Sequence, residues 1–508
     1  VFWHAIFPGY PFGAGLAIRS RDISSHPCPL SGRYNSAPHG ALTTADNPST
    51  RPPNPDLERV ITASGASHSS LALRLNQLAR GNGVHTSYTH TSWANWTRRG
   101  TMPAEPIRPL IAQVLAERLG RPVSLSEIGM NTTDVTESAV GLDFPRDLPG
   151  AIHAASRFWS QVDRRNFHAS GGIATAHYHT PIRRWLTTPA DPDASFTGDA
   201  AFPKVGKADI TELLTAAEEA RWWDSRYGGG NWRTSAITVC LKERAAPLLH
   251  GQYRDDIGKQ LFTATAQLSR LAGWAAFDNG QHALAQRHYI QALRQARAGS
   301  NIPLGGYILT CMALQATLRG FHDDAIDMVD GAFQRARHHA TPRVLAFYKI
   351  IEARIWARDS NPRAAGTALA AAERLLSSAA NHSGDDPTWI NFFDHARLAA
   401  DATEIHRDLA MPTQALRWNR DATMATDVYA RSHALRLAVL GSIHLQGYSP
   451  DLHRAVQHGH RAVDVLTHVT SARALDYLND LLARLNRWRT EPVVRELAHR
   501  ARTELLIA

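Results

Sequence analysis

The sequence predicts a mostly all-α chain: a small helical domain, an irregular connecting region and a C-terminal α-solenoid. Two observations predict it. From about Leu268 onward, small residues recur on paired apolar stripes at an interval of roughly 40 residues, the mark of stacked helical hairpins. Between Ser69 and Met130, apolar residues fall at i, i+4 and i+7, the spacing of amphipathic helices. Hydrophobic residues make up 44% of the 508, enough for a large core. No run reaches the roughly 18 apolar residues that span a bilayer, so no membrane partner is expected.

Residues 1–67 are rich in Pro, Gly, Ser, Thr and Asn without periodicity, and the expectation is disorder. The apolar stretch Val1 to Ile18 lacks a basic start. It is broken by Pro8, Gly9, Pro11, Gly13 and Gly15, which argues against an export signal and for a cytoplasmic protein. The first methionine is Met102, so the written start is expected to be an over-extended gene reading or a fragment.

Residues 68–130 read as a helical domain. Leu71, Leu75 and Leu78 form one stripe, which Gly81 and Gly83 end. In the run YTHTSWANWTRRGTMP, Thr91 or Ser92 can cap a short helix through Trp96 to Arg98, and Gly100 and Pro103 stop it. A longer helix from Pro106 to Leu119 carries Ile107, Leu110, Ile111, Val114 and Leu115 and closes at Gly120. Trp93 and Trp96 suit the core. Gly83 to Tyr88 leaves room only for a turn or a very short helix before the short one.

Residues 131–207 are the connecting region. A helix is expected from Leu148 to Arg164 with Phe158 and Trp159 on it, and ATAHYHTPIRRWL reads as a strand entering a turn at Pro181. Residues 208–260 lead into the array. A helix from Ala208 to Trp223 is broken by DSRYGGGNWR. A phosphate loop needs a preceding strand and a Gly-Lys-Ser/Thr ending. Here a helix precedes Gly228 to Gly230 and no lysine follows, so a helix-to-helix turn is the better reading.

Residues 261–508 are the array. The segment LSRLAGWAAFDNGQHALAQRHYIQALRQARA places Gly273 and Ala276 on one helix, Gly280 at a turn, and Ala285, Tyr289 and Ala292 on the next. The layout returns at Ala313, Ala316 and Gly320 with Ala325, Val329 and Ala332. It returns again at Ala353 and Trp356 with Ala365, Leu369 and Ala372, and at Ala402 and Ile405 with Ala415, Asn419 and Ala422. A looser copy has Ile443 and His444 with Ala455, Gly459 and Ala462, and Ala472 to Leu506 reads as a capping helix pair. Small residues let the helices of a hairpin approach closely.

Three resemblances follow from these residues. The array is similar to tetratricopeptide repeats, whose groove binds a protein or peptide. Arg294, Arg297, Arg335 and Arg354 are the candidates to line it. The segment THTSWANWTRRG resembles the helix-turn-helix of lambda-repressor-like regulators. That resemblance implies base contacts by His90, Thr91, Ser92 and Asn95 and phosphate contacts by Arg98 and Arg99, chemistry open to amides and guanidinium groups. Together with RLGRP, RYGGGNWR and the first array segment, the chain resembles actinobacterial regulators of the Streptomyces type. In those, a helix-turn-helix-like segment precedes tetratricopeptide repeats, and members control sporulation and secondary metabolism.

The implied function is a transcriptional regulator that binds DNA and a repeat partner, with homodimerisation as a further possibility. A repeat scaffold that does not bind DNA is the alternative. Its ground is the modest charge of the domain, where Arg74, Arg80, Arg98, Arg99, Arg108, Arg118 and Arg121 meet Glu105, Glu117 and Glu127. The net charge of +9 is too thinly spread to decide between them. Cys28, Cys240 and Cys311 form no metal or disulfide pattern, and His177 and His179 lack a third ligand nearby. No nucleophile–base pair emerges, so no enzyme, cofactor or metal site is expected.

Overall fold

The computed structural model describes residues 54–81, 86–99, 107–121, 127–130, 139–162, 175–197, 202–379, 384–423 and 428–505, with positions 101, 103, 123, 125 and 426. Among the described residues the fold is all-α apart from one two-residue strand pair. The chain divides into two compact units at Ser138/Ala139.

Among the described residues the first unit holds four helices: α1 (Pro55–Ser64), α2 (His68–Gly81), α3 (His90–Arg98) and α4 (Arg108–Leu119). The expected disorder through residue 67 is corrected here by α1; residues 1–53 lie outside the described residues. Helix α1 forms for local reasons. The Asn54 side chain caps it by accepting from the Leu57 N–H at 3.0 Å, Pro55 occupies the first turn, and Gly65 at φ 62° ends it. Leu57, Val60 and Ile61 then join Leu71, Leu75, Trp93, Trp96, Ile111 and Leu115 in one core. Asn54 also joins the two ends of the domain, since its amide donates to the carbonyl of Ile128 at 3.0 Å.

The second unit is built on six helical hairpins. They are α10 (Asp255–Asp278) with α11 (His282–Ala298), α12 (Ile302–Leu318) with α13 (His322–Ala336), and α14 (Pro342–Arg358) with α15 (Pro362–Ala379). Next come α16 (His395–Asp408) with α17 (Pro412–Asn419), α18 (Ala430–His444) with α19 (Leu452–Leu466), and α20 (Ala472–Leu485) with α21 (Pro492–Leu505). Four of the turns share one device. The residue at the turn takes positive φ: Gly280, Gly320, Ser360 and Ala410. The next N–H then bonds back five residues, from Gln281 to Ala276, Phe321 to Ala316, Asn361 to Trp356 and Met411 to His406, at 2.8 to 3.0 Å. Ala285, Ala325, Ala365 and Ala415 are all fully buried. A Cβ on Gly273 would come within 2.7 Å of the Tyr289 ring, so that glycine sets the closest helix approach in the first hairpin. One expected array residue lies off its helix: α17 stops at Asn419, and Ala422 is buried in the chain that follows.

The connecting region carries two helices, α5 (Leu148–Val162) and α6 (Ala176–Thr187). The strand expected around Pro181 is corrected here. Tyr178, Pro181 and Trp185 fall on one buried helical face, and the packing of that face outweighs the lost hydrogen bond of an internal proline. Both helices lie against α11, and α6 also meets α13. At this seam the buried His288 ring packs against Phe158, with centroids 4.7 Å apart. Burial pushes His288 down to about 3, so it folds neutral. Unfolded histidine titrates near 6.5, so the unfolded chain takes the proton first and stability is lost as pH falls below that value. Between pH 6.5 and 4.5 the expected loss from this residue is about 1–3 kcal/mol. Urea melts at both pH values check it. A His288→Leu variant that keeps the wild-type pH dependence would show that His288 is not the source.

Helix α7 (Lys207–Tyr227) runs against α10 and α18. It is followed by α8 (Trp232–Cys240), a π-helical turn at Leu241–Ala245 and α9 (Ala246–Leu249). Strands β1 (Phe196–Thr197) and β2 (Gln252–Tyr253) pair antiparallel. The triple glycine is the α7–α8 turn, and it holds the first hairpin to the last. Thr470 donates to the Tyr227 carbonyl at 2.9 Å, and Gly230 donates to the Thr470 carbonyl at 3.0 Å. A Cβ on Gly228 would stand 2.3 Å from the Thr470 oxygen, and one on Gly229 would stand 2.4 Å from the Ala275 oxygen. Beside this turn, fully buried Asp278 meets Arg473 at 3.0 Å and Arg431 at 3.6 Å, and Arg431 reaches Asp224 at 2.7 Å. The series of hairpins therefore closes on itself through α7, α10, α18 and α20.

Candidate functional site

In the first unit the site expected from sequence is α3. Its helical register divides the residues cleanly. Trp93, Trp96 and Thr97 turn inward, and the Trp93 and Trp96 rings lie 5.3 Å apart in the core. His90, Thr91, Arg98 and Arg99 are exposed, and Ser92 and Asn95 are half-buried. Ser92 is partly committed to the helix start, because its Oγ accepts from the Thr89 N–H at 3.2 Å. Among the described residues no carboxylate pairs with Arg98 or Arg99. Arg74 is bound by Glu117 at 2.8 Å and Arg121 by Glu127 at 2.6 Å. The exposed face of α3 therefore offers two cations, an amide and hydroxyls to a partner. Gly100 and Met102 lie outside the described residues.

The helix before α3 is α2, expected from its Leu71, Leu75 and Leu78 stripe, and the described part of the stretch Gly83 to Tyr88, from Thr86 on, is not helical. The connection from Gly81 to His90 is partly organised by Asn76, whose amide donates to the Tyr88 carbonyl at 2.8 Å and whose oxygen accepts from the Tyr88 N–H at 3.0 Å.

Residues 57–131 match the SP15 N-terminal domain. The matched segment runs from the third residue of α1 to just past Met130, so it covers the four-helix unit and none of the array. Its start within α1 agrees with the core, to which Leu57 belongs. No curated protein and no solved structure matches the chain.

Three of the four arginines expected to line an open groove are committed elsewhere, which corrects the expectation for Arg294, Arg297 and Arg335. Arg294, fully buried on α11, donates to the carbonyls of Pro145 at 2.7 Å and Asp147 at 2.9 Å and to the Asp191 carboxylate at 2.8 Å. Arg297 bonds the Pro189 carbonyl at 3.1 Å and pairs with Asp191 at 3.2 Å. Arg335 on α13 holds the carbonyls of Trp185 and Leu186. These three lie on the second helices of their hairpins, where the chain's own residues 139–162 and 175–191 cover them. Arg354 is on a first helix and lines a small cavity there together with the carboxylates that pair with it, Asp401 at 3.1 Å and Glu404 at 2.9 Å.

An open space lies on the first helices. A cavity of about 310 Å³ is bounded by α7, α10, α12, α14 and α18, with residues from Thr388 to Arg397. Its walls are aromatic and charged: Trp274, Tyr307, Phe347 and Phe392 stand with Arg270, Arg397 and Arg431 and with the carboxylates of Glu218 and Asp224. The Tyr307 ring is held flat by stacking on Trp389 at 5.0 Å and 10°. Trp222, which is 42% exposed, also contributes to the lining. Sequence reasoning missed these residues, although one signal was present. From Gln260 to Phe277, Arg270 is the sole charged residue in an otherwise uncharged run.

Proposed function

We propose that the chain is a cytoplasmic transcriptional regulator. The α3 face binds DNA, and the helical array, of tetratricopeptide type, receives a protein or peptide signal. The observation that supports this reading is the division of α3. Its tryptophans fill the core, while His90, Thr91, Asn95, Arg98 and Arg99 lie at least partly outside it, with no carboxylate among the described residues neutralising either arginine. Asn95 and Ser92 suit base edges, and the two arginines suit phosphates. A regulator in sporulation or secondary metabolism is the narrower form of the proposal, and dimerisation would double the phosphate contacts.

The test is binding of the full chain to the DNA upstream of its own gene, against scrambled DNA, across a salt series. The N95A/R98A/R99A triple variant is expected to bind at least 10-fold more weakly. Each lost phosphate contact removes about 0.9 from the slope of log affinity against log salt, so the two arginines together account for nearly 2. Unchanged affinity and slope would reject the DNA reading. The eight-residue connection between α2 and α3 favours a second reading, because a helix-turn-helix usually has a turn of about 3–4 residues. In that reading the first unit is a docking module of a repeat scaffold. It predicts no sequence-selective binding even at low salt.

A further inference from the structure

We propose that the cavity on the first helices of the array binds a small planar organic anion, an aromatic ring carrying a carboxylate. The charges of the wall carry the argument. Arg221 is neutralised by Glu218 at 2.5 Å, Arg397 by Asp401 at 2.9 Å and Arg431 by Asp224 at 2.7 Å. Arg270 lines the same space at 3% exposure, and among the described residues no carboxylate lies within ion-pair distance of it. It rests over the Tyr307 ring at 5.0 Å in the wall it shares with Cys311, and its Nε has no acceptor. A ring face, with the Asp224 charge acting only from beyond ion-pair distance, is weak compensation for a desolvated guanidinium, which is stable when an anion completes it. The planar fork of arginine matches a carboxylate in two parallel hydrogen bonds.

The remaining walls select what carries that carboxylate. Trp274, Tyr307, Phe347 and Phe392 give the space four aromatic rings, beside the polar Ser225, Thr388, Asn391 and Ser432, so a flat aromatic body suits it. The volume stands at the lower end of the roughly 300–1,000 Å³ of small-molecule pockets, which suits a one- or two-ring compound. The proposal is independent of DNA binding, and its test contains no DNA.

The full chain is titrated with 2-naphthoate, with its neutral isostere 2-naphthamide and with inorganic phosphate, read by calorimetry and by the fluorescence of Trp222 and Trp274. The expected result is one naphthoate per chain, bound at least 10-fold more tightly than the amide or phosphate. R270Q is expected to bring naphthoate down to the level of the amide. The wild-type comparison of acid with amide stands alone should R270Q fold poorly, and F392A supplies a second variant that weakens naphthoate by removing a ring wall. Equal binding of acid and amide would overturn the role of charge. Equal binding of phosphate would overturn the role of the ring. Absence of naphthoate binding would overturn the site.

Discussion

Replacing Asp278 with alanine is expected to lower the unfolding free energy of the array unit by about 3–5 kcal/mol. The carboxylate is fully buried at the end of α10 and satisfies three groups at once. It accepts from the Gly229 N–H at 2.9 Å and from Arg473 Nε at 3.0 Å, and it stands 3.6 Å from Arg431. Burial alone would raise its pKa, but Arg431 and Arg473 outweigh burial and hold it below the ordinary aspartate range. Removing it leaves cationic groups buried with too little negative charge, the costly half of a broken ion pair. Asp224, which burial and the Asp278 charge push upward, cannot take over that role. Asp278→Asn keeps an acceptor for Gly229 and is expected to lose less. Urea melts followed by circular dichroism decide the matter. A loss under about 1 kcal/mol for D278A would mean that the network contributes little. Because the folded pKa is depressed, this contribution is present above the unfolded aspartate value near 3.9 and is lost as pH falls through the folded one.

Arg294→Met is expected to release the segment carrying α5 and α6 from the array. Methionine keeps much of the apolar stem but offers no donor to the carbonyls of Pro145 and Asp147, and it leaves Asp191 with Arg297 alone. Several buried acceptors lose their partner together, at a combined cost of about 3–5 kcal/mol. Hydrogen exchange reads the effect locally. Amides of α5 and α6 should exchange roughly 150- to 4,000-fold faster, while those of α16 to α21 keep their rates. Wild-type exchange across α5 and α6 would show that the arginine does not hold the segment.

The legibility of the sequence varied with how local each cause was. Hairpin turns at Gly280 and Gly320 were readable because glycine marks positive φ. The third and fourth turns use Ser360 and Ala410 for the same backbone conformation, so punctuation vanished there while the alanine spacing remained. Helix α1 was hidden in a polar, proline-rich stretch, although Asn54, Pro55 and Gly65 together spell a start and a stop. Helix α6 was misread because Pro181 is a local breaker, whereas its justification, the burial of Tyr178 and Trp185, comes from residues far along the chain. Three of the four groove arginines failed for the same reason. Arg294 looks like a solvated helix residue until the carbonyls 147 to 149 positions earlier fold onto it. On α3 the inward and outward faces were legible, since a short amphipathic helix states both in its own spacing.

An open array of hairpins behaves as a zipper. Either terminal unit can peel away, and melting then travels inward one neighbour at a time. The glycine turn removes that freedom here, because Thr470 and Arg473 at the start of the sixth hairpin are fastened to α7 and to the end of α10. The first and last hairpins are thereby made nearest neighbours, and the sum over a line of units becomes a sum around a loop. Deleting the sixth hairpin should not merely shorten the array; it should strip protection from α10, the element most distant from it in sequence among the hairpin helices.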